Sequence, residues 1–521
     1  MMIRTGLLLV SLSLLLLFPL SNAQAVITTN NLLAEATPDE CFAGVGVDYP
    51  NGIAGFNPNS GPPCPEGSRD KTNQTYVWGL TRAGNSLWFG TGANVACTTL
   101  GAFVSSEVTD TSSYVCEYGE SQLARENPLV TDENGDWRPP KMYEYNLTTN
   151  TLTDRTPDVS QVTLSQGIRS AGSHNGVVFL AGGSLNNGVI MFAFDADTKE
   201  YLGSRTFRRY GTIRKWLVIN NRLYTAMGTA GGQGNILRWT GSRNNPFSFV
   251  VVGTVNGVPR ELAHYIDGNG ESRIAISGEG VWISPAMNAL GVLPRSTALW
   301  RQIWNPQDYE PDVLISYAAY GGGAISQFDG WLYWGTLHIP GRSEFVHSQC
   351  NFQAICFGEP QNEEEEDILA DGARRATTIW RARGLETANP EIQLLYGEAE
   401  LPAYNPNTRT FDLTPNNGGY VPLYGSSGFG SRNNYYTWTM QVAAGSLFAG
   451  TLDLGGAELW RFTSSSAAAV SENRSGLGDS LNYGIRTMET SEDGNTLYCG
   501  MATYSNLGTE AGWELRALTF E

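Results

Sequence analysis

The stretch LFAGTLDLGGAELWRF, residues 447–462, combines an apolar pair, a small-residue step, a glycine-rich break and an alternating apolar run. Variants recur along the chain: WGLTRAGNSLWFGTG from Trp78, RSAGSHNGVVFLAGG from Arg169, RKWLVINNRLYTAMG from Arg214 and RELAHYIDGNGESRIAISG from Arg260. GAISQFDGWLYWGTL follows from Gly323, WTMQVAAGSLFAGTL from Trp438 and RTMETSEDGNTLYCGM from Arg486. Each alternates, turns tightly on Gly, Asn or Asp, and alternates again, which is a β-hairpin signature. A hairpin cannot bury both of its faces alone, so the copies must pack on one another.

Three of the spacings between unit starts are 45, 46 and 48 residues, near the ~40–50-residue period of propeller blades. The wider spacings read as the same period plus insertions. A third strand follows most hairpins: KMYEYNLTTNTLTDRT (141–156), VIMFAFDADTKEYLGSRTF (189–207), NILRWTG (235–241), TTIWRARG (377–384), AELWRF (457–462) and WELRAL (513–518). With a fourth edge strand each unit makes one blade. The expected fold is all-β, a seven-bladed β-propeller. Its seventh unit lacks a fourth strand, and AVITTNNLL (25–33) has the character to supply it, closing the ring and removing an exposed edge.

MYEYNLTTNTLTDRTP resembles the third and fourth strands of Kelch-like propellers, and SEDGNTLY (491–498) resembles a turn of secreted bacterial periplasmic propellers. The resemblance runs from about Thr75 onward and implies a scaffold rather than a reaction.

The first 25 residues pair a short charged start with an apolar run from Gly6 to Leu20 and an Ala23-Gln24-Ala25 end. This predicts a signal peptide cleaved after Ala25, hence a secreted, periplasmic or cell-surface protein without a membrane span, expected to be a monomer. Residues 26–74 are expected to hold the closing strand and a cysteine-containing extension, and residues 75–521 the propeller. Only 16% of residues are charged, while glycine numbers 60 and aromatics reach 11%, a composition of strands and turns. A net charge of −18 argues against nucleic acid as a partner. Seven cysteines in an exported chain suggest disulfides. Proximity favours Cys41–Cys64, Cys97–Cys116 and Cys350–Cys356, leaving Cys499 as a buried thiol. Three glycosylation sequons begin at Asn73, Asn146 and Asn473.

In propellers the loops that gather around the channel mouth carry most ligand sites. Four inner strands are expected to begin with arginine, at Arg169, Arg214, Arg260 and Arg486. Converging guanidiniums are costly unless an anion or nearby carboxylates balance them. Their forks match carboxylate, sulfate or phosphate oxygens. The competing expectation is that each arginine pairs with a neighbouring acid as internal glue; Glu261 and Glu489 are the acids close in sequence. Trp78, Trp438 and Asp453 are further expected at the ligand face.

His338, His264, Tyr265 and Tyr504 are the candidate catalytic groups, with His264 sharing a strand face with Arg260. Insertions at 96–140 and 337–375, with the long segment 398–434, are expected to wall a groove. Trp137, Tyr404, Tyr420, Tyr424, Tyr435 and Tyr436 would line it, a platform suited to sugar rings. Calcium is the one cofactor the acidic runs 362–372 and 132–136 would take, and each also reads as a solvated loop. No G-x-S-x-G elbow, H-E-x-x-H pair, P-loop or C-x-x-C-H motif is present.

Three functions follow as expectations. The first is an exported propeller binding an anionic ligand, an acidic polysaccharide, at its arginine-lined face. The second is a polysaccharide lyase that neutralises a uronate with an arginine and abstracts a proton with a His or Tyr. The third is an interaction scaffold at the cell surface whose arginines are purely structural.

Overall fold

In this computed structural model the described residues are 27–44, 61–95, 97, 129, 137–294, 300–318, 320–350, 355–504 and 512–520. Every hairpin read from the repeat forms, each pair antiparallel. The pairs are Gln74–Ala83 with Ser86–Ala93, Ser170–His174 with Val177–Gly183, Tyr210–Ile219 with Arg222–Thr229, and Glu261–Ile266 with Ser272–Ser277. The remaining three are Tyr320–Phe328 with Trp331–His338, Asn434–Ala443 with Ser446–Asp453, and Asn482–Thr490 with Thr496–Thr503. Turn chemistry explains them. Asn175-Gly176, Asn220-Asn221, Asp329-Gly330 and Ala444-Gly445 each place two successive residues at positive φ, the geometry whose twist matches that of the flanking strands.

Third and fourth strands extend these hairpins into four-stranded antiparallel sheets. Val189–Asp195 and Tyr201–Phe207 do so in one, Gln233–Trp239 and Phe249–Asn256 in the next. Near the C-terminal end, Glu514–Phe520 pairs with Thr496–Thr503 on one side and with Ile27–Glu35 on the other. The N-terminal segment thus supplies the fourth strand there.

The inner strands are neighbours in sequence order: 74–83 lies beside 170–174, then 210–219, 261–266, 320–328, 434–443 and 482–490, and the last of these also lies beside 74–83. Apolar cores sit between successive sheets. Phe179 of one sheet stacks on Trp216 of the next, with centroids 5.1 Å apart, and Phe89 meets Trp513 edge-on at 4.9 Å. Such aromatic pairs add about 0.5–1.5 kcal/mol beyond the area they bury. Radially neighbouring four-stranded antiparallel sheets with cores between them define a β-propeller.

Several expectations are corrected or delimited. The acidic run expected as a loop forms the helix Glu363–Ala373, because the Asn362 side chain caps it and four glutamates occupy the first turn, where the helix dipole favours them. The other acidic run, 132–136, lies outside the described residues, and among those described no cluster of three or more His, Cys, Asp or Glu is placed to hold a metal. The 398–434 segment contains a hairpin, Glu400–Asn405 with Thr410–Pro415. Cys41–Cys64 and Cys350–Cys356 are disulfides and Cys499 is a buried thiol, its pKa pushed up to about 12 by burial. Cys116, the signal segment and most of 96–136 lie outside the described residues. Asn73 is buried and bonded to Asp39 and Glu40, so a glycan has no access to it. Among the described residues no helix is long and apolar enough to cross a membrane.

Candidate functional site

Four irregularities in the inner hairpins create the site. Regular pairing skips Trp78 between Val77 and Gly79, and Trp438 between Thr437 and Thr439. It likewise skips Arg486 between Ile485 and Thr487, and Arg214 with Lys215 between Ile213 and Trp216. An extra residue in one strand re-aims its side chain and leaves it outside the ladder. Glycines make the room: a Cβ on Gly92 or Gly167 would collide with the Trp78 ring, and one on Gly484 with the Trp438 ring.

Two adjoining cavities result, sharing Trp78, Arg169, Arg214 and Arg486 in their walls. The smaller, ≈ 110 Å³, is also lined by Tyr76, Val95, Arg260, Leu337, Ile339, Tyr436 and Trp438. No carboxylate belongs to that lining. The larger, ≈ 320 Å³, adds Thr81, Arg82, Ser173, Lys215, Glu261, Thr439, Gln441 and Glu489, among others. All four expected arginines therefore meet. None of the four opens its strand as expected: Arg169 and Arg260 stand one residue before theirs, whereas Arg214 and Arg486 sit inside theirs, at the bulges.

Their electrostatics are unusual. Arg169 is pushed well below the ordinary guanidinium range, first by burial and then by the charges of Arg214 and Arg486. Arg260 and Arg486 fall to about 10, again by burial first and Arg214 second. Burial lowers Arg214 as well, with Glu261 opposing. Guanidinium keeps its proton at physiological pH, so the four carry their charge into a partly desolvated site. Three of the four are only half-buried because the cavities reach them, while Arg486 is 5% exposed.

What the arginines do have is weak compensation. Arg260 donates from Nη1 to the carbonyls of Gly278 (3.0 Å) and Gly322 (3.1 Å). Arg169 lies over the Trp78 ring at 4.6 Å, and Arg486 near the Trp438 ring at 5.4 Å, cation–π contacts worth about 0.5–2 kcal/mol. Arg486 Nε is buried with no hydrogen-bond partner. The ion pairs among the described residues involve other arginines, such as Arg375 with Glu310, Arg138 with Glu40 and Arg461 with Glu472.

Other expected site residues lie elsewhere. His264 bonds Ser272 Oγ through Nε2 at 3.0 Å and lines neither cavity. Although strand alternation places it with Arg260, the arginine stands before the strand and turns toward Gly278 and Gly322. His338 is fully buried, with Nε2 3.5 Å from Ser343 Oγ and Nδ1 unpartnered. Burial first, then Arg375 and Arg374, hold it far below the usual imidazole range, as a neutral ring. Tyr265 is 1% exposed inside a core. Tyr504 donates to Leu454 O (3.1 Å) and packs against Tyr483, and Asp453 accepts from Ser431 Oγ and Gly455 N, bracing a turn.

No single aromatic groove forms. Tyr404 and Tyr420 join one core, Tyr424 a second, and Tyr435 and Tyr436 a third around Trp438, while Trp137 is buried and donates to Ser165 O. The aromatics have packed because their hydrophobic area outweighs any exposed role. Sequence reading missed Tyr76 as a wall residue. Its signal is its position, two residues before the bulged Trp78, as Tyr436 stands two before Trp438.

No family model matches the chain, and no curated protein matches it. Among solved structures it is similar to the WD40 repeats of RRP9, at 10% identity and a TM-score of 0.41, over 86% of this chain and 95% of that one. It is also similar to the hydrazine synthase of Kuenenia stuttgartiensis, at 9% identity and a TM-score of 0.42, over 87% of this chain and 98% of that one. At such values the assignment to the β-propellers rests on the strand pairing described above.

Proposed function

We propose that this chain is an exported seven-bladed β-propeller, closed by its Ile27–Glu35 strand, that binds an anionic ligand, an acidic glycan, in its arginine-lined cavities. One observation carries the reading: four guanidiniums share a small cavity without a carboxylate in its wall, and one buried Nε has no partner. Arg375, Arg138 and Arg461 each meet a carboxylate, whereas none of these four makes an ion pair among the described residues, which supports a ligand as the counter-charge. The Cys41–Cys64 and Cys350–Cys356 disulfides are in keeping with export through the 1–25 segment. The cavity walls contain no histidine, which favours binding over a lyase that uses His264 or His338 as base.

The test uses residues 26–521 against acidic and neutral polysaccharides at low and high salt, with ultraviolet absorbance followed for unsaturated uronate. Binding of an acidic polymer that weakens with salt and is lost in Arg486→Gln is the expected result. Equal binding by the wild type and Arg486→Gln would sink the reading. New absorbance would replace it with the lyase.

A further inference from the structure

The two cavities differ in size and charge, and that difference bears on which anionic group enters. The smaller is ≈ 110 Å³. A cavity of about 150 Å³ holds benzene, and a water's share of the liquid is about 30 Å³. The smaller cavity thus takes a compact oxyanion and leaves no room for a sugar ring. The adjoining ≈ 320 Å³ cavity does have that room, and its walls carry hydroxyl, amide and carboxylate groups: Thr81, Ser173, Thr439, Gln441, Glu261 and Glu489.

Guanidinium number is the second observation. Arg169, Arg214, Arg260 and Arg486 reach the small cavity from four different sheets. Each guanidinium presents several N–H donors in a rigid fork. A carboxylate's two oxygens are filled by one or two such forks lying in its plane. Four forks from different directions would leave most donors idle on a planar group. A tetrahedral group with three terminal oxygens spreads its acceptors in space and uses donors from several sides. Arg260 already spends Nη1 on two carbonyls, whereas Arg486 Nε, on a side chain 95% buried, has no partner.

Resting on the anion-binding reading above, we infer that the group held in the small cavity is a tetrahedral oxyanion, a sulfate or phosphate ester at the end of its carrier, with the carrier's sugar ring in the larger cavity against Trp78. The ligand is then recognised at its tip, not along a chain of carboxylates.

The experiment measures Kd by calorimetry and the melting temperature of residues 26–521 in chloride buffer. Its probes are inorganic sulfate, inorganic phosphate, acetate, glucuronate, and one monosaccharide in sulfated, phosphorylated and unmodified form. Inorganic sulfate or phosphate should bind at least tenfold more tightly than acetate or glucuronate, and one of the two esters more tightly than either inorganic ion. The tighter ester identifies sulfate or phosphate as the source. Arg486→Lys, which keeps the charge but removes the fork, and Arg169→Gln should each weaken sulfate at least tenfold while retaining the cooperative melt. Glucuronate binding as tightly as sulfate overturns the tetrahedral assignment and leaves the anion site standing. Failure of every anion, in wild type and variants alike, overturns the anion-binding reading itself. Esters no better than the inorganic ions overturn the placement of the sugar ring.

Discussion

Two buried, arginine-bearing regions of this molecule have opposite electrostatics. Beneath the 337–375 insertion, Arg375 reaches Glu310 through Nε at 2.7 Å and Nη2 at 2.9 Å, and burial's downward pull on it is outweighed by that carboxylate. Nearby His347 sits 3.2 Å from Asp312, whose carboxyl is held below its ordinary range by that contact despite burial. In the central cavities the arginines are pushed the other way, by burial first and then by Arg214 repelling Arg169, Arg260 and Arg486. One region has been neutralised by direct ion pairs, whereas in the other Glu261 and Glu279 act on the arginines without forming one. The difference teaches that burial of arginine says little by itself; what distinguishes the two regions is whether a carboxylate stands within ion-pair reach.

The comparison can be broken most forcefully at Glu310. Glu310→Ala strands Arg375 without a counter-ion and should cost about 3–5 kcal/mol, read as a fall in the urea midpoint. A loss under about 1 kcal/mol would mean that the Arg375 pair matters no more than the cavity arginines. Next in size is Gly484→Ala. Its Cβ would overlap the Trp438 ring, and overpacking of that kind costs about 1–3 kcal/mol. Anion affinity should fall with it, because Trp438 faces Arg486. Stability lost with affinity intact would separate the bulged tryptophan from the site.

The pH dependence sharpens the contrast. His338 has a depressed folded pKa, so the unfolded chain binds the proton first. Its contribution is therefore complete above pH 6.5 and is lost progressively as pH falls below that value. Denaturation midpoints between pH 7 and pH 5 should decline less steeply in His338→Gln than in the wild type. Parallel profiles would show that the buried imidazole is not the source.

A smaller effect is expected at the cavity. Arg486→Met removes one of several repelling charges, so the unliganded protein should keep its stability or gain about 1 kcal/mol while anion binding disappears. A loss matching Glu310→Ala would show that the cavity arginines are structural glue after all. The smallest effect belongs to the rim. Arg82 and Glu492 lie 3.3 Å apart with the glutamate side chain 85% exposed, and Glu492→Ala should change stability by less than ~0.5 kcal/mol, in the same urea titration.

Much of the hairpin framework was readable because it is written locally. Asn-Gly, Asn-Asn and Asp-Gly pairs dictate their own turn geometry, and alternation dictates which face is apolar. The strand character of AVITTNNLL was equally plain, and it pairs with Glu514–Phe520 as its place in the pattern required. The arginine set was also legible, since its members recur near the starts of four of the seven units. The catalytic candidates were not. His264 and Tyr265 are separated from the cavity by a change of direction at Arg260, and His338 by helices that sequence reading took for loop.

Sequence alone determined the hairpins and the recurrence of arginine, because each depends on residues close together or on a period; it favoured the cysteine pairs Cys41–Cys64 and Cys350–Cys356 by proximity, and the structure decided them. Tertiary structure decided which arginines found a carboxylate. Glu310 reaches Arg375 across 65 residues, and Glu40 reaches Arg138 across 98. No repeat specifies contacts at such separations. They depend on where insertions fold and on which strands bulge, and so does the gathering of arginines without ion pairs at the centre.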